Sequence, residues 1–167
     1  MSADELAKLW REHGAALMLV CRTRCANPDD CVQEAFVRLA SQSPVPDDPV
    51  AWLARVARNA AISRARSEGR RKKHEERVAS ERTAWFEPIS SDAYESVSTD
   101  EVQSALTQLD ESTREIVVAH LWGGLTFRQI AEAFDLSHSS AHRQYTAGLE
   151  RLRLLLTSSV RNDESGR

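Results

Sequence analysis

Long hydrophobic runs are missing from this chain of 167 residues. Charges interrupt every apolar stretch, so none reaches the roughly 20 residues that a membrane helix needs, and no membrane insertion is expected. Glycine is scarce, at 6 residues, and none of it forms a phosphate-cradling loop. The 5 prolines sit at the ends of periodic segments rather than inside them. Cysteine is limited to Cys21, Cys25 and Cys31, an odd number that argues against a disulfide framework. Their spacing matches no standard zinc site, so no metal is expected. The N-terminus, MSADELAKLW, carries acids where a secretory leader needs bases, so the expected compartment is the cytoplasm. The 5 histidines are scattered, and no nucleophile, base and orienting group come together in sequence. The chain is therefore expected to be neither an enzyme nor a cofactor carrier. What remains is 41% hydrophobic and 28% charged, enough for one ordinary domain or two small ones.

The periodicity is helical throughout. Leu6, Leu9, Trp10, His13, Leu17 and Val20 mark an amphipathic first helix. Asn27 is a plausible N-cap of a second, with Pro28 in its first position and Asp29 and Asp30 at the positive end of its dipole. There Val32, Ala35, Phe36 and Leu39 point one way, and Asp30, Gln33, Glu34 and Arg38 the other. The loop SQSPVPDD follows. A third helix starts at Pro49, capped by Asp48, with Leu53, Val56, Ala57 and Ala60 on its apolar side. Arg55, Arg58, Asn59 and Arg66 face away, and Gly69 with the run RRKK is expected to loosen its end. Helix returns at Val102. Another begins at Asp110 or Ser112, the latter paired with Glu115 as a capping box, and breaks at Gly123-Gly124.

Charge is unevenly distributed. The net charge is −3, yet Arg55 to Arg82 holds ten bases against four acids. Thr83 to Glu101 holds five acids and no base. The latter mixes Ser, Pro and acids with Trp85, Phe86 and Tyr94 and reads as a linker.

The most informative segment is Leu125 to Leu156. Thr126 and Gln129 form a capping box, and Phe127, Ile130, Ala131 and Phe134 supply an apolar face. Asp135 stands where the chain must turn, and Asp tolerates left-handed backbone angles. Ser137 is a good N-cap, after which Ala141, Tyr145, Leu149, Leu152 and Leu156 recur at helical spacing. His138, Ser139, His142, Arg143 and Thr146 are left on the opposite side. This is the layout of a helix-turn-helix, whose second helix enters the major groove by its N-terminal end.

Three blocks in order resemble one family, the extracytoplasmic-function class of bacterial RNA polymerase sigma factors. DDCVQEAFVRLA resembles its region 2.2, and PVAWLARVARNAAISRARSEGRRKK its regions 2.3 and 2.4. The segment from LTQLDESTREIVVAHLW through the helix-turn-helix resembles its region 4. Ser63, Asp135, Gln144 and the run Ser139-Ser140-Ala141-His142 depart from the family's usual residues. The resemblance implies an all-α protein of two small helical domains joined by a flexible linker. Residues 1–82 would be region 2, 83–100 an acidic linker, 101–160 region 4, and 161–167 a tail. It implies a transcription initiation factor whose partners are core RNA polymerase, promoter DNA and an anti-sigma factor. Asp30, Gln33, Glu34 and Arg38 would meet the polymerase. Arg55, Arg58, Asn59, Arg64 and Arg66 would hold the −10 element. Thr126, Arg128, His138, Ser139, His142 and Arg143 would meet the −35 element. The alternative is a helix-turn-helix regulator that is not a polymerase subunit, which would leave the acidic face and basic stripe without a purpose.

Overall fold

The structure, a computed structural model, describes residues 1–75 and 99–164, and these form seven helices with no strand among the described residues. Of the expected linker, 83–100, residues 83–98 lie outside them.

The N-terminal half contains α1 (Ala3–Arg22), α2 (Pro28–Ala40) and α3 (Pro49–Glu75). α1 starts earlier than its apolar pattern indicates, because Ser2 and Glu5 form a reciprocal capping box at 3.2 and 2.6 Å. Those two backbone N–H groups would otherwise lack partners. The same bonds hold the Glu5 carboxyl below its ordinary pKa. Asn27 stands at the N-cap of α2, but its side chain makes no capping bond; Pro28 and the two aspartates start the helix without it. Asp48 caps α3 as expected, its Oδ1 accepting from the Ala51 N–H at 3.0 Å. Gly69 does not loosen α3, which runs unbroken to Glu75. A helical glycine costs only about 1 kcal/mol against alanine, and the flanking Arg, Lys and Glu are good helix formers.

The C-terminal half contains α4 (Thr99–Thr107), α5 (Glu111–Leu121), α6 (Phe127–Phe134) and α7 (His138–Glu164). α4 begins at Thr99 rather than Val102, which turns Asp100 and Glu101 from linker acids into first-turn residues that suit the helix dipole. Arg114 closes the other end of α4, donating to the carbonyls of Leu106, Thr107 and Leu109 at 2.9–3.2 Å. α5 is capped by Asp110, whose carboxylate accepts from the Thr113 N–H at 3.0 Å and is held below its ordinary pKa by that residue. The capping box expected from Ser112 and Glu115 does not form, because Glu115 is one turn inside α5 and points elsewhere. The Thr126–Gln129 box on α6 is present. Asp135 takes φ 56°, ψ 49°, the left-handed conformation that ends α6, and the Ser137 hydroxyl accepts from Ser140 N–H at 3.1 Å to start α7.

The two halves are not separate bodies. Leu17, Val32, Phe36, Leu39, Leu53 and Ala61 of the N-terminal bundle share one buried cluster with Ile116, Ile130, Phe134 and Ala141. α3 packs along α6, and α1 along α5. A second cluster, around Leu106, Val117, Val118 and Leu152, holds α4 and α5 to the length of α7. Gly148 allows that approach: a Cβ there would lie 2.7 Å from methyls of both Thr113 and Val117.

Candidate nucleic-acid and polymerase interface

Three exposed surfaces carry most of the residues singled out from the sequence. The first is the outer face of α2. Asp30, Gln33 and Arg38 are exposed and Glu34 is half-buried, while Val32, Ala35, Phe36 and Leu39 fill the core beneath. Glu34 pairs with Arg38 one turn on. Val37, 68% exposed, adds an apolar group to the same outer surface. An exposed face that mixes acids with an uncovered valine suits a basic protein partner with an apolar anchor point.

The second surface is the outer side of α3. Asn59, Ile62, Ser63, Arg66 and Arg70 recur at helical spacing and line a shallow groove. Arg55, Asn59 and Arg66 are exposed, as the periodicity requires. Two of the arginines expected there are engaged elsewhere. Arg64 reaches α2, with Nη1 2.9 Å from Asp30 Oδ2 and Nη2 3.9 Å from Glu34. It thus ties the second surface to the first.

Arg58 turns under the C-terminal half, where only 16% of its side chain is exposed. Its Nε and Nη2 donate to Glu115 Oε2 at 3.2 and 3.0 Å, and its guanidinium lies 4.5 Å from the centre of the Phe134 ring. Cation–π geometry of this kind favours a guanidinium over an aromatic face. Arg58 was expected on the open stripe because a hundred degrees per residue places it with Arg55. Periodicity finds the side of the helix away from its own bundle, and cannot report that a second bundle covers part of that side.

The third surface is the start of α7. His138, Ser139, His142, Arg143 and Thr146 are all exposed, on the side opposite Ala141, Gly148 and Leu152. Gln144 points inward, within 3.4 Å of the Ser112 hydroxyl. Phe127 supports this surface from α6. His120 stacks on it at 4.2 Å, and Tyr145 and His142 meet it edge-on at 5.2 and 5.0 Å. The His120 ring is fixed by Nδ1 at 2.8 Å from the Leu125 carbonyl oxygen. His142 is therefore held against an aromatic ring while its far edge stays open. Thr126 caps α6 and is exposed. Arg128 is 81% exposed, yet Nη2 is 3.2 Å from Asp48 at the other half's α3 cap. Gln129 Nε2 donates to the same carboxylate at 3.3 Å.

Two groups have little to do with these surfaces by sequence but dominate the structure. Glu115 is fully buried between the halves, and its Oε2 also accepts from Arg24 Nη2 at 2.7 Å. Arg24 further pairs with Glu111. A glutamate three residues past a serine looks like a cap, and nothing local separates that reading from a partner 91 residues away. The cysteines form the other group. Cys25 and Cys31 lie 3.7 Å apart, sulfur to sulfur, and all three thiols are buried and free. Burial pushes the Cys31 thiol up to about 12 and raises Cys21 as well, so both stay protonated at neutral pH. No cluster of metal-ligating residues occurs among the described residues.

Comparisons with known proteins agree with this geometry. The family model for sigma-70 region 2 matches residues 9–71, and the model for sigma-70, region 4 matches residues 99–152. In fold, the chain is similar to the sigma factor RpoE from Bartonella quintana, crystallised with the anti-sigma factor NepR. That match has a TM-score of 0.72 at 20% identity and covers 93% of this chain and 98% of that one. No protein of curated function matches in sequence. The two matched regions take up most of the chain, fall on its two helical halves and carry the three surfaces described above, so the chain belongs to the sigma-70 family of sigma factors.

Proposed function

We propose that this protein is a sigma factor of the extracytoplasmic-function class, which binds core RNA polymerase and directs it to promoters by recognising −10 and −35 elements. The observation that carries this reading is that matches to region 2 and region 4 occur in order in one chain. A helix-turn-helix regulator acting alone would need the α6–α7 unit but not the α2 and α3 surfaces.

The roles divide by surface. Asp30, Gln33, Glu34 and Arg38, with Val37 among them, meet the polymerase. Arg55, Asn59 and Arg66, with Arg64 at the border and Arg58 once uncovered, hold the −10 DNA. Ser139, His142 and Arg143 face bases at −35, and His138, Thr126 and Arg128 lie toward phosphates. Arg143 is the group there able to make a bidentate contact with guanine. No step of this function needs bond chemistry from the chain, and its place of action is the cytoplasm, with the polymerase. RpoE from Bartonella quintana is held by an anti-sigma factor. A partner of that kind for this chain is part of the proposal.

Transcription by purified core polymerase tests the reading. The protein should confer specific initiation on a promoter selected from a genomic library. Binding of DNA by the chain, with no effect on core polymerase, would establish the regulator instead.

A further inference from the structure

We propose that Cys25 and Cys31 are an oxidisable pair, closed to a disulfide by a peroxide, and that closing it shifts the start of α2 and weakens docking on the polymerase. The docking half of the inference rests on the sigma-factor reading given above.

The two sulfurs already touch. They lie 3.7 Å apart and share a hydrogen bond across six positions of the chain. A disulfide bond is about 2.05 Å long, so closing it needs roughly 1.7 Å of approach. Most of that movement falls on Cys25. Cys31 is fully buried inside α2, whereas Cys25 lies in the connection between α1 and α2, its N–H bonded to the Cys21 carbonyl at 3.0 Å. That connection leads straight into the first turn of α2, where Asn27 makes no side-chain capping bond. The Cys31 thiol donates to the Asn27 carbonyl at 3.6 Å, and oxidation removes the proton that makes this bond.

The two thiols are suited to different steps. Cys25 is 6% exposed, against 1% for Cys21 and 0% for Cys31. Burial raises its pKa, but the Cys31 thiol, the Asn27 backbone and the Arg64 charge all favour its thiolate. Burial and the bond to Cys25 push Cys31 up to about 12, so it keeps its proton. The Cys25 thiolate attacks one oxygen of hydrogen peroxide, the O–O bond breaks, and a sulfenic acid and hydroxide form. The Cys31 sulfur then attacks the sulfenic sulfur, the S–O bond breaks, and the oxygen leaves as water with the Cys31 proton. The proton given up by Cys25 turns the hydroxide into a second water. Two electrons pass from the sulfurs to the peroxide. Disulfides in reducing compartments are usually transient and serve redox sensing or catalysis.

The pair lies beneath the face expected to meet the polymerase. Cys31 directly follows Asp30, whose Oδ2 is 2.9 Å from Arg64 Nη1, and the Arg64 charge acts on both thiols. Pulling on the first turn of α2 moves Asp30 relative to Glu34 one turn on. Charged groups that meet a partner fix its register, so such a shift lowers affinity.

The test uses the full chain, reduced, freed of reductant and treated with hydrogen peroxide, with catalase added before any polymerase. Thiols alkylated in urea are counted by mass, and disulfide-linked peptides are mapped. Treated wild type should keep one free thiol, Cys21, and carry a Cys25–Cys31 link; Cys25→Ser should keep both of its thiols. Affinity for core polymerase, read by fluorescence anisotropy, should fall severalfold on oxidation and return with dithiothreitol. Cys25→Ser should bind equally well before and after peroxide. Circular dichroism checks its fold, with Cys25→Ala read in its place if helix is lost; if both lose helix, reduced and oxidised wild type are compared alone. Three free thiols after peroxide, a link to Cys21 or a link between chains would overturn the pair. A Cys25–Cys31 link that leaves polymerase binding unchanged would overturn its control of docking. Failure of the reduced wild type to bind core polymerase would remove the sigma-factor reading and the docking claim with it, whereas the thiol count, made without polymerase, reports on the pair alone.

Discussion

Arg58 donates two hydrogen bonds to one oxygen of Glu115, a residue 57 positions further along the chain. One side chain comes from the helix expected to hold the −10 element and the other from the domain expected to read the −35 element. A contact between them makes the two DNA-binding halves a single body. It also means that replacing Arg58 would disturb the interface and the DNA contact at once. The experiments on promoter opening are better placed elsewhere on α3.

Asn59→Ala with Arg66→Ala is the cleaner pair, because both side chains are exposed and neither contributes to the core. Such surface changes usually alter stability by about 0.5 kcal/mol or less. Polymerase binding should survive, while opening of promoter thymines, read by permanganate, should fall severalfold. Normal opening would remove this stripe from the mechanism.

Charge reversal of Asp30 and Glu34 should abolish binding to core polymerase while helicity is retained. The pairs lost, to Arg64 and Arg38, are solvent-exposed, and exposed ion pairs are each worth about 1 kcal/mol or less. Fluorescence anisotropy of a labelled chain titrated with core enzyme measures this directly. Retained affinity would point to another docking face.

Arg143→Ala should relax base preference at one −35 position. Loss of a bidentate guanine contact costs roughly 1–3 kcal/mol and should leave the other positions unchanged. Selection by the reconstituted holoenzyme from a promoter library randomised at −35 gives the answer. An unchanged position matrix would show that α7 is docked differently.

Gly148→Ala should destabilise the C-terminal half by up to about 2 kcal/mol net, the overpacking cost of about 1–3 kcal/mol less the helix-propensity gain of about 1. The new methyl would meet the γ-methyls of Thr113 and Val117 at 2.7 Å, and β-branched side chains cannot rotate away. The gain in helix propensity, about 1 kcal/mol, works in the opposite direction and is smaller than the clash. Urea unfolding decides the sign: a stabilised variant would mean that α5 and α7 can separate without cost.

Stability should fall as pH rises from about 9 toward 12. Unfolded thiols titrate near 9.0, whereas burial raises Cys31 to about 12 in the folded chain. Over that window the unfolded state loses protons that the native state keeps, so unfolding is favoured progressively. Below 9 this contribution to stability is fully present. Thermal midpoints of wild type and Cys31→Ala, followed across this window, should converge as pH rises. Parallel curves would show that the thiol does not carry the effect. The same burial predicts slow labelling by a thiol reagent in the native protein and rapid labelling in urea.

Local signals in the sequence determined much of this protein. Repeats of apolar residues near 3.6 positions set the helices and the inner faces of α2, α3 and α7, and short capping patterns set the starts at Thr126 and Ser137. The left-handed turn at Asp135 and the exposed row from His138 to Arg143 follow from the same short-range rules. A capping bond or a helical face spans four residues or so, and its partners are neighbours in the chain. The roles of Arg58, Arg24 and Glu115 were settled only by tertiary structure. Each has a local role, or none, when only its neighbours in the chain are considered, but each finds its main partner dozens of residues away. Only packing α3 against α6 and α1 against α5 brings those charges together. Gly148 belongs with them: a glycine inside a long helix is unexplained until α5 lies across it.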